Sequence, residues 1–240
     1  MFSYSPLLIS QSFLAATGTR LFLHHQDRIP EASAVLVVSN HRSFMDAPVL
    51  MASVGQPIRF ACHHYMSQVP ILREFVKRLG CFPLDEPGQG QQRFFNQATQ
   101  LLQAQQMVGV FPEGGKPMVK LTQADQMQKF HKGFAHLALR SPVKELAILP
   151  VAIASVEETV NSAFPLKLLS LFDPAEPLFD QPGWHPLVIY RRVNVLIGRP
   201  CWITQQEREK YHGKQAKAVV AQITQHCQTE IGQLLDRGCY

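Results

Sequence analysis

Charge is scarce in this chain of 240 residues. Asp, Glu, Lys and Arg make up 17% of it, whereas an average soluble domain carries about 25%. Clustered charge is missing as well, because the basic residues are dispersed and form no block. Dispersed basic charge is typical of a solvated surface, so the sequence argues against a nucleic-acid-binding protein.

Paired cysteines and long apolar runs are also missing. The 5 cysteines include no Cys-x-x-Cys pair, which argues against a zinc ribbon or a thioredoxin-like site and favours free thiols in a reducing compartment. No Lys or Arg precedes Arg20, so the charged start of a signal peptide is absent. The longest strongly apolar run, residues 146–156, is about half of a bilayer span. We therefore expect neither a signal peptide nor a transmembrane span.

The chain contains enough apolar residues to form a sizeable hydrophobic core. Hydrophobic residues make up 46%, and 23 Lys and Arg against 18 Asp and Glu give a net charge of +5. A domain of this length buries roughly 70–75% of its unfolded surface and needs no disulfide or metal for stability. This composition excludes a disordered chain, a collagen, a coiled coil and a small disulfide scaffold.

Short apolar runs alternate with helical patterns along the chain. The β-branched run at residues 34–39 is typical of a buried parallel strand, and residues 58–62 and 107–111 predict two more. Strand, helix and strand in repetition predict an α/β fold, with a single domain whose central, mostly parallel sheet is flanked by helices. The prolines between residues 157 and 187 predict no long regular element there.

The two ends of the chain read as helices. Ser5 and Pro6 predict a helix start, and the apolar residues that follow predict a helix that either packs on its own domain or lies in a membrane interface. Near the other end, a polar stretch carries an apolar stripe at helical spacing. We therefore predict an amphipathic, membrane-interface helix over residues 1–25, a central domain over 26–204 and a packed C-terminal helix over 205–240.

The first candidate for chemistry follows the strand at residues 34–39. His41 lies just past that strand, and Asp46 comes five residues later. The carboxyl ends of parallel strands are where α/β folds place ligands. A carboxylate can accept a hydrogen bond from one imidazole nitrogen and raise the basicity of the other. The pair predicts a general base directed at a hydroxyl, although a single histidine is more often an ordinary surface or core residue.

The second candidate is the loop Phe-Pro-Glu-Gly-Gly-Lys that begins at the end of the strand at residues 107–111. Glu113 and Lys116 could bind a polar group, and Gly114 permits a positive φ and a close backbone approach. The loop is not a P-loop, because Pro117 stands where that motif needs Ser or Thr. A plain turn would also explain the glycines.

Together the two blocks resemble the glycerolipid acyltransferase family, which comprises the 1-acylglycerol-3-phosphate and related lysophospholipid acyltransferases. The family's Asn-His-x-x-x-x-Asp element is similar to Asn40, His41 and Asp46, with Ser43 at a common position, and its Phe-Pro-Glu-Gly block is similar to residues 111–114. The other resemblances are residues 80–86, Lys132 with Gly133, Pro150 and the strand before Pro200. The resemblance covers about residues 34–200.

The resemblance implies a glycerol-3-phosphate-acyltransferase-like fold and acyl transfer from an acyl thioester of acyl carrier protein or CoA to a lysolipid hydroxyl. The most direct acceptor is 1-acylglycerol-3-phosphate, which would give phosphatidate. His41 would be the general base and Asp46 the group that orients it, with no metal or bound cofactor. The residues implied to bind or shape the substrate are Asn40, Ser43, Glu113, Gly114, Lys116, Lys132 and Arg93.

Two departures from the family pattern concern the acceptor. The second block usually ends in Arg, but Glu86 stands there, and the third usually continues Thr-Arg, but Gly115 and Lys116 stand there. Lys keeps the charge and lacks the planar fork that fits a phosphate. One alternative is therefore an acyltransferase for a non-phosphate acceptor or another lysolipid. Another is an inactive homologue that binds a membrane or a partner. The intact His41 and Asp46 count against that alternative.

Composition and the resemblance together predict where the protein works. Low charge density, a basic excess and an apolar N-terminal helix predict peripheral contact with an anionic membrane surface on the cytoplasmic side. The adjacent histidine pairs at residues 24–25 and 63–64 predict no metal site, because neighbours on a strand point to opposite faces. The acyl chain length, the choice of donor and the oligomeric state are left open by the sequence.

Overall fold

A computed structural model describes residues 5–31, 33–62, 70–83, 90–171 and 179–238 of the chain. Its centre is an eight-stranded sheet in the order β1-β7-β6-β2-β5-β3-β4, with β8 paired to β6. The strands are β1 (Arg20–His24), β2 (Ala34–Ser39), β3 (Ile58–Cys62), β4 (Phe82–Pro83), β5 (Met107–Val110), β6 (Leu146–Pro165), β7 (Trp184–Ile197) and β8 (Cys201–Trp202).

Helices cover both faces of this sheet. They are α1 (Pro6–Ala16), α2 (Asp46–Val54), α3 (Pro70–Arg78), α4 (Gly90–Gln103), α5 (Lys116–Val119), α6 (Gly133–Arg140), α7 (Leu166–Leu169), α8 (Gln205–His212) and α9 (Ala216–Gly238), with a 3-10 turn at Gln26–Arg28. Within the described residues, no helix is both long and apolar enough to cross a membrane.

Strand β2 contributes side chains to both of the hydrophobic cores that hold the helices against the sheet. Its alternate side chains point to opposite faces, so Leu36 joins a core with α4, α6 and α9, while Val35 and Val37 join a core with α1 and α2. β2 pairs in parallel with both β5 and β6. The predicted α/β fold with a mostly parallel central sheet is confirmed, and its carboxyl edge carries the loop that follows β2.

The N-terminal segment is not one helix, so the prediction of a helix over residues 1–25 is wrong for residues 20–24. Helix α1 ends at Ala16, and the chain reverses at Gly18, whose φ of +69° is available to glycine at no steric cost. β1 then pairs in parallel with β7. The helix itself packs against α2 and buries Leu14. This segment is therefore part of the domain's own core and sheet.

Two further differences come from tertiary pairing. β6 runs to Pro165 and β7 begins at Trp184, although the prolines predicted no long strand there. The two strands pair antiparallel along this length and form an extended ribbon, with register shifts near Ser155 and Ser162. Proline is tolerated at strand ends and at such irregularities. The C-terminal region is two helices, since α8 ends at His212, with Gly213 as its C-cap, before α9 begins at Ala216.

Candidate active site

His41 and Asp46 meet at the carboxyl edge of the sheet. The chain leaves β2 after Ser39, and the loop of residues 40–45, which we call the histidine loop, leads into α2, whose first residue is Asp46. His41 Nδ1 lies 2.8 Å from Asp46 Oδ2, and the two side chains are 17% and 1% exposed. Because a carboxylate accepts a hydrogen bond, the neutral imidazole carries its proton on Nδ1 and has a free lone pair on Nε2. The pair can take a proton from a hydroxyl.

Asp46 is held by donors on both of its oxygens. Oδ2 also accepts the backbone N–H groups of Arg42 at 2.7 Å and Ser43 at 2.9 Å. Oδ1 accepts the hydroxyl of Tyr190 at 2.7 Å. Since the residue is fully buried, these contacts fix the carboxylate plane and so the direction in which it holds His41.

Tyr190 is a residue of the candidate site that sequence reasoning missed. It lies on β7 and is 1% exposed. Burial, the Asp46 charge and the hydrogen bond to it raise the pKa of Tyr190 well above its usual value, so the hydroxyl remains a donor. The available signal was a phenol inside the apolar strand of residues 187–197, because a buried hydroxyl needs a partner.

Two stacked phenylalanine rings pack against one face of the His41 imidazole. The centroids of His41 and Phe111 are 4.0 Å apart with planes 10° apart, and those of Phe111 and Phe60 are 5.0 Å apart with planes 9° apart. Phe60 reaches this position because Gly109 opposes it across the β3–β5 pair, where a Cβ would overlap the Phe60 ring. The histidine is therefore held both along its edge and across its face.

Glu113 joins the two sequence motifs. One carboxylate oxygen accepts the backbone N–H of His41 at 2.9 Å, and the other accepts the backbone N–H of Gln128. Burial raises the pKa of Glu113, and the two backbone hydrogen bonds oppose that shift. Next to it, Gly114 has a φ of +71° and lies against the ring of His131. The Phe-Pro-Glu-Gly block thus braces the histidine loop from a second strand end.

A protein-family model described as Acyltransferase matches residues 20–154, which is more than half of the chain. The chain belongs to the Acyltransferase family. The matched segment contains both the His41–Asp46 pair and the block at residues 111–114.

Two other proteins show how far the likeness of this chain extends. The crystal structure of the 1-acyl-sn-glycerophosphate (LPA) acyltransferase PlsC from Thermotoga maritima matches with a TM-score of 0.61 and 14% identity, over 97% of this chain and 77% of that one. That likeness shows the shared fold. An uncharacterized protein of Mycobacterium leprae (strain TN) is 27% identical over 194 residues, 74% of this chain and 50% of the relative. The chain thus spans about half the length of that curated relative.

Asn40 and Ser43 use their polar atoms inside the protein. The Asn40 amide bonds to both backbone groups of Ile153, at 2.9 and 2.8 Å. Ser43 Oγ donates to the Val188 carbonyl at 2.7 Å and accepts from the Met45 N–H. Both side chains are buried, so they tie the histidine loop to β6 and β7 and offer little surface to a substrate.

Arg42 is a second residue that sequence reasoning missed. Its guanidinium bonds to both oxygens of Glu158 on β6, at 2.7 and 2.9 Å, and also to the Thr122 carbonyl. Burial opposes ionisation of Glu158, but the hydrogen bonds and charge of Arg42 prevail and lower its pKa. This ion pair ties the histidine loop to the extended ribbon.

The predicted phosphate-binding cations are on the surface of the protein. Lys116 begins the short helix α5, Lys132 precedes α6, and Arg93 lies on α4; all are exposed. In the described part of the chain, neither lysine bonds to His41, Asp46 or Glu113. Glu86 and the histidines at 63–64 lie outside the described residues. Among those described, no group of three His, Cys, Asp or Glu side chains could hold a metal.

Proposed function

We propose that this acyltransferase moves a fatty acyl group from an acyl thioester of acyl carrier protein or CoA to the hydroxyl of a lysolipid, most directly 1-acylglycerol-3-phosphate. The observation that carries the proposal is His41 Nδ1 at 2.8 Å from Asp46 Oδ2, at the sheet edge where the two family blocks meet. Such a pair is suited to removing a proton from an alcohol at neutral pH.

The reaction follows from this arrangement. Nε2 of His41 takes the proton of the acceptor hydroxyl as its oxygen attacks the thioester carbonyl carbon. The tetrahedral intermediate then expels the thiolate, which takes the proton back from the imidazolium, so the products are an ester and a free thiol. Asp46 stabilises the imidazolium between these steps. No covalent acyl-enzyme, metal or bound cofactor takes part.

A phosphate on the acceptor is supported by the basic residues near the motifs. Lys116 follows the Phe-Pro-Glu-Gly block closely in the chain, and Lys132 immediately precedes α6. The second candidate is an acceptor without a phosphate, which Glu86 favours because it stands where the family usually has Arg. We also propose that the acceptor is taken from an anionic bilayer surface, consistent with the net charge of +5.

The test is an acyl-transfer assay with one labelled acyl donor and a panel of phosphorylated and neutral acceptors, read by mass spectrometry. His41→Ala is expected to abolish transfer, because losing a general base in this role costs roughly 100- to 10,000-fold in rate. His226→Ala, on the exposed side of α9, is the matched control and should keep wild-type turnover.

Circular dichroism and thermal melting establish that both variants keep the fold. Unchanged turnover in folded His41→Ala protein contradicts the proposed role, and no transfer to any acceptor by the wild-type protein contradicts the proposed activity. Product formed only from neutral acceptors would select the second candidate.

A further inference from the structure

The two carboxylate oxygens of Asp46 accept hydrogen bonds from different parts of the chain. Oδ2 accepts from the His41 ring and from two backbone N–H groups of the histidine loop, whereas the hydrogen bond that Oδ1 accepts comes from the hydroxyl of Tyr190 at 2.7 Å. Three of the four donors thus belong to the loop itself. The fourth is contributed by β7, which is 144 residues away in the sequence.

Contacts on several sides anchor the backbone of Tyr190 and so set the position of its hydroxyl. Its N–H contacts Met45 Sδ at 3.2 Å, its carbonyl accepts from the Thr19 hydroxyl at 2.9 Å, and its Cα pairs with Glu158 across the ribbon. The ring is 1% exposed. Tyr190 is thus a fixed donor to Asp46.

We propose that Tyr190 is a positioning residue for proton transfer, which acts through Asp46 to fix the direction and basicity of His41. This inference rests on the proposed function. Tyr190 lies outside the segment that the family model matches, residues 20–154, so the role is assigned from the contacts of this chain. The ionisable neighbours of Asp46 and Tyr190 are His41, Arg42, Glu158 and Glu113.

Two effects follow when the phenol hydroxyl is removed. The carboxylate loses the donor that fixes its plane, so His41 is held less firmly and the proton-transfer step slows. At the same time the negative charge is shared with one donor fewer, so it stabilises the imidazolium more strongly. The protonated, inactive form of His41 then persists to higher pH, and the acid limb of the kcat/KM profile moves upward.

The experiment compares Tyr190→Phe with Tyr211→Phe, the same change at a half-buried tyrosine of α8, where the hydroxyl bonds to Arg140 and His136 on α6. For Tyr190→Phe we expect kcat to fall roughly tenfold, the size expected when a hydrogen bond to a charged group is lost. KM for the acceptor should stay within about twofold, and the acid limb should move to higher pH. Tyr211→Phe should change none of the three.

A double-mutant cycle with Asp46→Asn separates positioning from a merely structural role. If Tyr190 acts through Asp46, adding Tyr190→Phe to Asp46→Asn should lower kcat little further, because residues that act as a unit are strongly non-additive. Assays run at a temperature where circular dichroism shows equal folded fractions remove any contribution from unfolding.

The outcomes are distinct. If His41→Ala is inactive while Tyr190→Phe keeps both the wild-type kcat and the wild-type acid limb, the inference about Tyr190 is overturned and the proposed function stands. Additive losses in the double variant also overturn it. If His41→Ala itself turns over normally, the proposed function fails first.

Discussion

Replacing Gly109 with alanine should disturb the active site through two intervening rings. Gly109 opposes Phe60 directly across the β3–β5 pair, and a Cβ there would overlap the Phe60 ring, which is 2% exposed. Phe60 would have to move, and it lies against Phe111, which in turn covers His41. One methyl group would therefore displace the imidazole without touching it.

The magnitude follows from packing. Overpacking of a close-packed core costs about 1–3 kcal/mol. For a domain of this size, each kcal/mol lowers Tm by roughly 2–4 °C, so the expected loss is roughly 2–12 °C. A displacement of about 1 Å at a reacting group costs up to about 100-fold in rate. We expect kcat to fall by roughly 10- to 100-fold.

The assay is acyl transfer together with thermal melting, and the chain offers two controls. Gly232→Ala in α9 makes an ordinary contact with Met127 at 3.4 Å and should raise stability by about 0.4–1 kcal/mol, because alanine restricts the unfolded chain more than glycine does. Combining Gly109→Ala with Phe60→Leu should restore part of Tm, since the overlapping ring is gone. Wild-type Tm and kcat in Gly109→Ala would refute the reasoning about the stack.

Two further changes test features outside the stack. Glu158→Gln should make the stability of the protein depend less on pH on the acid side. Arg42 lowers the pKa of Glu158 in the folded state, so the stability that the Glu158 carboxylate contributes is fully present above its unfolded-state pKa and is lost as pH falls through its folded-state pKa. Urea unfolding between about pH 3 and 7 would measure this difference. Thr204→Ala removes the capping box that Thr204 and Glu207 form at the start of α8 and should cost about 1 kcal/mol with turnover unchanged; an unchanged Tm would show that α8 does not depend on its cap.

The sequence predicts those parts of the molecule that depend on local pattern. The β-branched run at residues 34–39 forms β2, and Gly55 ends α2 with a φ of +73°. His41 and Asp46 are close in the chain, so their contact needs only one loop. The meeting of this loop with the block at residues 111–114 follows from β2 and β5 being parallel neighbours.

The missed features depend on partners that are distant in the chain. An apolar segment at residues 20–24 has no helical or strand preference strong enough to decide its structure, and its pairing with β7 makes it a strand. The extension of β6 past residue 157 likewise needs β7 opposite it. Asn40 and Ser43 resembled substrate-binding residues because local pattern does not reveal that Ile153 and Val188 take their hydrogen bonds.

The residues that hold the histidine loop by hydrogen bonds determine when the site can form during synthesis of the chain. Ile153, Glu158, Val188 and Tyr190 hold the loop, and all of them lie more than a hundred residues downstream of it. A growing polypeptide carries His41 and Asp46 long before the ribosome has made these partners, and pairings this far apart in sequence form slowly. The proposed general base is thus assembled only after β6 and β7 have closed into a hairpin, so an unfinished chain carries the motif without the contacts that hold His41 and Asp46 in place.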